Sequence, residues 1–146
     1  SLIDFERVMG RKPEYFVAGR VGVTSDPAWP ALSVSWKEAV EFCEKLSERP
    51  EEQARGRRYR LPTEFEWVKA NCSTRFNWGT VVGEWKVLEL CSDWFDLEYY
   101  RTMPAIDSPG PEKGTGHVAR VLRNTVRVHF SPCSFRVVVD VASERS

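Results

Sequence analysis

The sequence predicts an α+β fold, with two main helices in the first half of the chain and short strands in the second half. Two capping boxes, each followed by apolar residues at helical spacing, indicate the helices. Alternating apolar and polar residues after position 117 indicate the strands. Because no repeat or linker divides the 146 residues, we expect one loop-rich domain over residues 1–146.

Composition and charge exclude several classes of partner. Lys plus Arg and Asp plus Glu number 21 each, so the formal net charge is zero. A neutral chain lacks the electrostatic attraction that nucleic acids and anionic membranes exert on basic proteins. No apolar run approaches the roughly 18 residues of a membrane span. We therefore expect no nucleic acid and no membrane as partner. The chain opens without Met and can be part of a longer protein, so its localisation stays unknown.

The first helix is predicted to begin at Ser35. Ser35 and Glu38 form a capping box, in which the hydroxyl accepts from the N3 amide and the carboxylate accepts from the cap amide. Apolar residues follow at helical spacing: Trp36, Val40, Cys43 and Leu46. The helix should end before Pro50, and the polar residues 50–58 are expected to form a solvated loop.

The stretch YRLPTEFEW, residues 59–67, predicts the end of a short strand and the start of the second helix. Pro62 favours an extended conformation at Leu61, which ends the strand. Thr63 is the predicted N-cap of the helix. Glu66 completes a capping box with Thr63, and Glu64 adds negative charge to the first turn.

Other side chains of this stretch are expected to pack or pair. Phe65 and Val68 are placed to face inward from the second helix, and Trp67 belongs to the same structural motif. An ion pair between Arg60 or Arg58 on the strand and a glutamate of the helix would join the two elements. Structural roles therefore explain both glutamates more simply than acid–base catalysis does.

Short strands are predicted towards the C-terminus. KVLELCSDW is mostly apolar, HVARVLR is moderately apolar, and the Pro/Gly-rich residues 104–117 form a loop without periodicity. TVRVHF alternates, so Arg127 and His129 share the face opposite to Val126, Val128 and Phe130. SFRVVVDVA alternates as well, through Phe135, Val137, Val139 and Val141.

Two blocks at a fixed distance, VSWKEAVEFCEKLSE and YRLPTEFEWVKA, resemble the signature of the formylglycine-generating-enzyme (sulfatase-modifying factor) superfamily. Further matches in the same order are FERVMGRKPEYF, WG at 78–79, LELCSDWFDLEYY, SPGPEKG, RVLR and FRVVVD. The resemblance covers nearly the whole chain. It implies a C-type-lectin-like fold, in which a few helices and irregular loops surround a small, twisted, mostly antiparallel sheet.

The chain also departs from the family pattern in several places. The hairpin that usually precedes the FERVMG segment is absent, and the stretch between WG and LELCSDW is short. The block Gly-Asn-Val-Trp-Glu-Trp aligns with WKVLEL, which keeps only Val87 and Glu89. After RVLR the expected Gly-Gly-Ser-Trp is missing. We therefore expect a shortened member of the family.

The resemblance implies a copper oxidase chemistry for which ligands are missing. In the enzymes of the family, two cysteines near the C-terminus bind Cu(I) and oxidise a sulfatase cysteine with dioxygen, since soft thiolates select Cu(I). Here that region holds only Cys133, at neither catalytic position. We therefore expect a noncatalytic module with no cofactor. The alternative is an active formylglycine-generating oxidase that brings Cys133 to a distant thiol and binds copper.

Calcium is the second metal that the resemblance implies. Enzymatic members hold Ca²⁺ partly through an Asn-x-x-Glu block, of which Glu89 remains while Lys86 occupies the Asn position. An ammonium group opposes a divalent cation that prefers several oxygen ligands. We therefore expect no calcium at this position. The cysteines are Cys43, Cys72, Cys91 and Cys133; without a Cys-x-x-Cys pair, zinc is not expected, and buried free thiols are favoured.

The expected binding surface lies on the C-terminal strands and loops, where C-type-lectin-like domains commonly bind their ligands. Its residues are Arg120, Arg123, Asn124, Arg127 and His129, with Trp94 beside them. Arginine flanked by aromatic residues is typical of protein interfaces. A solvated strand face would explain the same residues. We expect the partner to be a protein or a small ligand.

Overall fold

The computed structural model describes residues 1–16, 26–72, 81–82, 85–102, 110–121, 124–127 and 133–142. The predicted α+β class is confirmed by these residues. The helices are α1 Leu2–Met9, α2 Trp36–Ser47, α3 Pro50–Ala54, α4 Glu64–Cys72 and α5 Leu97–Thr102. The strands are β1 Arg57–Arg60, β2 Val81–Val82, β3 Trp85–Lys86, β4 Leu88–Trp94, β5 His117–Val121, β6 Asn124–Arg127, β7 Cys133–Phe135 and β8 Val138–Val141.

The strands form one four-stranded sheet and two pairs. The larger sheet has the order β6-β5-β4-β7, while β1 pairs with β8 and β2 pairs with β3. All pairings are antiparallel except β4 with β7, where Leu88 lies opposite Cys133. The mostly antiparallel arrangement that was expected is therefore found in the part of the chain that the structure describes.

The predicted first helix is confirmed, and a short helix follows it. In α2 the Ser35 hydroxyl accepts from the Glu38 amide, and the Glu38 carboxylate accepts from the Ser35 amide, as a capping box requires. The expected loop at 50–58 is partly wrong. Pro50 occupies the first turn of α3, where its missing N–H costs no hydrogen bond and its φ suits the helix.

The N-terminal segment forms α1, which the periodicity analysis did not predict. Leu2, Phe5 and Met9 are its buried residues, at the spacing of one helical face. Gly10 ends the helix in the left-handed conformation, with φ of 73°, and its amide donates to the Glu6 carbonyl.

The main core lies between α1, α2 and the four-stranded sheet. Its buried members include Phe5, Phe42, Leu61, Leu90 and Cys133. A smaller cluster joins Trp67 of α4 to Cys91 and Val118 on β4 and β5. Leu90 and Ala119 belong to the main core while their neighbours Cys91 and Val118 belong to the smaller cluster, so α4 packs on the opposite face of β4 and β5. Among the described residues, no helix is long and apolar enough to cross a membrane.

Two expectations from periodicity are wrong. The alternation in SFRVVVDVA predicted one strand, but the chain changes sheet at Arg136, and Val137, Val139 and Val141 are exposed by 38%, 45% and 62%. Their exposure shows that no second layer covers this face of β8 in the part of the chain that the structure describes. In α4, Phe65 is 41% exposed. Trp67 takes the buried position instead, because it faces the sheet.

Candidate functional site

The start of α4 has the predicted geometry. The Glu66 amide donates to the Thr63 hydroxyl at 3.2 Å, and the Thr63 amide donates to the Glu66 carboxylate at 3.3 Å. The predicted ion pair to Arg60 is confirmed, since its two terminal nitrogens donate to both Glu66 oxygens at 2.8 and 3.1 Å. Arg60 also pairs with Asp140 of β8. It therefore holds β1, α4 and β8 together.

Glu64 connects α4 to the sheet and to α5. Its carboxylate accepts from Arg120 at 2.9 Å and from the Tyr100 hydroxyl at 2.5 Å. Burial, followed by the hydrogen bond to Glu64, raises the pKa of Tyr100. The Glu64 amide donates to Asp93, whose pKa is raised by burial. This half-buried polar cluster was not expected, since Glu64 was assigned only to the helix terminus.

Arg120 corrects the predicted ligand surface. It was expected on an exposed strand face, but it is buried, with 9% of its surface accessible. Its guanidinium carbon lies 5.3 Å from the centre of the Trp67 ring, and its Nη1 donates to Glu64. A cation is buried in this way only when a carboxylate and an aromatic face compensate its lost hydration. Arg120 is thus structural.

The pairing of β6 gives the position of two further members of that predicted surface. Asn124 and Arg127 lie on β6, opposite Val121 and Val118 of β5. Arg123 and His129 lie outside the described residues.

Trp94, the last member, takes part in an aromatic stack. The His117 ring lies 3.5 Å from the Trp36 ring and 3.9 Å from the Trp94 ring, measured between centres. The Trp36 indole donates to the Cys91 carbonyl at 3.0 Å, which holds the stack on β4. Trp94 is 38% exposed and covers His117 from the solvent side. Pattern analysis missed His117 because its partners lie 81 and 23 positions away.

Because the stack buries His117, its pKa is lowered, although backbone groups of Asp93 and Ser92 partly oppose the shift. The folded protein therefore binds this proton less readily than the unfolded chain, and stability should fall as pH drops below about 6.5. In His117→Gln, the unfolding free energy should depend less steeply on pH between 7 and 5. The difference should be a fraction of the ~1.4 kcal/mol per pH unit that one proton allows.

The measurement is urea unfolding of both proteins at several pH values in that window. Equal slopes for the two proteins would contradict a lowered pKa at His117.

Glu89 is a buried carboxylate that pairs with a half-exposed arginine. Its carboxylate is fully buried and accepts from the Trp67 indole at 2.6 Å and from Arg136 Nε at 2.8 Å. The bonds join α4, β4 and the connection between β7 and β8. A carboxylate inside the apolar segment LEL signals such a partner, since a buried charge must be paired, but it does not identify Arg136.

Neither metal that the resemblance implied fits the described residues. Glu89, the remaining residue of the calcium block, already has a guanidinium against its carboxylate, which opposes a divalent cation. For copper, the described cysteines Cys43, Cys91 and Cys133 are free and buried. Burial raises the pKa of Cys43 to about 11 and that of Cys133 to about 12. Copper ligation would therefore have to overcome both the burial of these thiols and their raised pKa.

Comparison with known proteins identifies the relatives of this chain. The family model of the sulfatase-modifying factor enzyme 1-like domain matches residues 4–98. The formylglycine-generating enzyme of Streptomyces coelicolor is 30% identical over 172 residues, which covers 85% of this chain and 49% of that protein. The chain thus spans about half the length of that relative. The match is longer than the whole 146-residue chain, so segments of the relative have no counterpart here. No solved structure matches the chain significantly.

Proposed function

This chain belongs to the sulfatase-modifying factor family, and on that premise we propose that it is a noncatalytic module that binds a protein or a small ligand. The observation that carries the proposal is the burial of the described cysteines. Cys43, Cys91 and Cys133 are exposed by 3%, 0% and 1%. An oxidase of the family would need a thiolate pair that both copper and a substrate cysteine can reach. The described thiols meet neither requirement.

The scaffold around them supports a binding role. The buried pair of Glu89 with Arg136, the Glu64–Arg120 bond and the Arg60 bridge use their charges to hold elements together. Charged groups that satisfy one another in the folded chain are poor candidates for proton transfer to a substrate. The proposed ligand surface lies at the β5–β6 end of the sheet and includes Asn124 and Arg127.

The catalytic alternative is tested by copper and substrate together. The reduced protein is titrated with Cu(I) and then incubated with dioxygen and a sulfatase-type cysteine peptide. We expect that the protein does not bind one equivalent of copper through Cys133, so that Cys133→Ala leaves the titration unchanged. We also expect that mass spectrometry detects no aldehyde product. Aldehyde formation that depends on Cys133 would overturn the proposal and make the protein an oxidase.

The binding role needs its own positive test. Peptides selected against the immobilised protein should bind at least tenfold more weakly to Arg127→Glu than to the unchanged protein. Arg58→Glu on the exposed strand β1 is the matched control for the change in charge. Peptides that bind both variants equally would exclude the β5–β6 end as the binding surface.

A further inference from the structure

A groove runs between α1, α2 and the connection that follows β7. Its volume is about 650 Å³, within the range of small-molecule sites. Its larger apolar lining residues are Phe5, Val8, Phe42, Leu46, Phe135 and Val137. We call it the α1–α2 groove. It does not involve β6, so it is independent of the ligand surface proposed above.

Packed aromatic rings form the floor of the α1–α2 groove. The Phe5 and Phe42 rings stack with their centres 5.8 Å apart. Phe135 meets Phe42 edge to face at 5.2 Å. Phe5 and Phe42 belong to the main core, so the floor is held by the fold and does not require a ligand to form. Val137 is exposed at the edge of the groove and extends its apolar surface.

Three arginines border this floor, namely Arg7, Arg49 and Arg136. Arg49 Nη2 donates to the Arg7 carbonyl at 2.9 Å, which positions the Arg49 side chain across the groove. The Arg7 guanidinium makes no ion pair with any described residue. The acidic residue beside them, Asp4, accepts from the Ser1 hydroxyl at the start of α1. Arg136 is paired with Glu89 and Arg49 lies 3.9 Å from Glu51, so Arg7 supplies the positive charge of the border that no ion pair with a described residue compensates.

A second groove between α2 and β1 lacks this character. It measures about 810 Å³ and is lined by residues of both charges, including Glu44, Glu48 and Arg58. Its Arg60 is already engaged by Glu66 and Asp140. The second groove thus gives no preference for an anion and provides a comparison for the first.

We propose that the α1–α2 groove binds a small amphipathic carboxylate, a molecule with an apolar body and one carboxylate end. The phenylalanine floor would bury the apolar body, which is favourable in proportion to the area removed from water. Arg7 and Arg49 would hold the carboxylate, because guanidinium groups match its geometry with two parallel hydrogen bonds. A ligand that has only the apolar body or only the carboxylate would make only one of these two sets of contacts and should bind more weakly.

The experiment compares decanoate with decan-1-ol by isothermal titration calorimetry, on the full chain and at concentrations below micelle formation. We expect one equivalent of decanoate to bind, at least tenfold more tightly than the alcohol. Arg7→Glu should weaken decanoate binding at least tenfold, while Arg58→Glu, the same change of charge in the second groove, should not. Val137→Asp tests the apolar part of the groove and leaves Arg7 in place; it should also weaken decanoate binding.

Thermal melts establish that each variant is folded before it is titrated. The proposal is overturned if decanoate does not bind, if the alcohol binds equally well, or if Arg7→Glu and Arg58→Glu have equal effects. None of these results depends on Arg127 or on copper, so they leave the proposed function unaffected.

Discussion

Replacing Arg136 with methionine should lower the free energy of unfolding by about 1–3 kcal/mol, because the fully buried Glu89 carboxylate loses its compensating cation while the Arg136 side chain itself is 38% exposed and partly hydrated. Glu89 accepts a hydrogen bond from Arg136 Nε at 2.8 Å. Methionine keeps most of the apolar stem of arginine, so the decrease in the free energy of unfolding is due mainly to the missing positive charge. Urea unfolding followed by tryptophan fluorescence measures it.

Two further variants separate charge from packing. Arg58→Met removes a guanidinium from exposed β1 and should change stability by no more than about 0.5 kcal/mol. Glu89→Gln combined with Arg136→Met removes the unpaired charge while an amide oxygen can still accept from Trp67. The double variant should therefore regain part of the loss. If Arg136→Met costs no more than Arg58→Met, Glu89 does not depend on Arg136.

Gly114→Ala should destabilise the protein by about 2–4 kcal/mol, because no side chain fits at this position. A Cβ atom on Gly114 would lie 2.4 Å from the Phe95 carbonyl oxygen. The neighbouring backbone is tied to the same residue, since the Phe95 amide donates to the Gly116 carbonyl at 2.7 Å. The loop could relieve the clash only by giving up bonds to the end of β4.

Gly10→Ala provides the control for a general glycine effect. Gly10 has φ of 73° at the end of α1, but nothing lies within 4 Å of its added Cβ. Alanine there should cost only about 1 kcal/mol for the left-handed backbone. Thermal melts of the two variants compare them directly. A smaller shift for Gly114→Ala than for Gly10→Ala would show that the loop adapts.

The ion pair behind the first of these predictions also places a cation of the chain itself against Glu89. The ion pair with Arg136 and the bond from Trp67 compensate the buried carboxylate from within the chain. A domain stabilised in this way can present surfaces and grooves without supplying reactive groups. This agrees with a binding module, and it directs experiments to the α1–α2 groove and the β5–β6 end.

Several features were determined by the sequence alone, and all of them are local. In the capping boxes of Ser35 with Glu38 and of Thr63 with Glu66, each side chain accepts a hydrogen bond from a backbone amide only three residues away. Pro62 likewise ends β1 by restricting Leu61 beside it. The α+β class follows from such signals, and the block RLPTEFEW was sufficient to indicate the family.

Only the tertiary structure decided which charges and apolar residues are buried. Arg120 was assigned to an exposed face because strand alternation does not reveal that Glu64, 56 positions earlier, lies within 2.9 Å. The valines of β8 alternate as a buried strand would, yet they are exposed, because burial requires a second layer that periodicity cannot supply. His117 stacks between Trp36 and Trp94, which come from different elements. Contacts between residues far apart in sequence depend on how the helices and strands pack. The residues adjacent in sequence give no information about that packing.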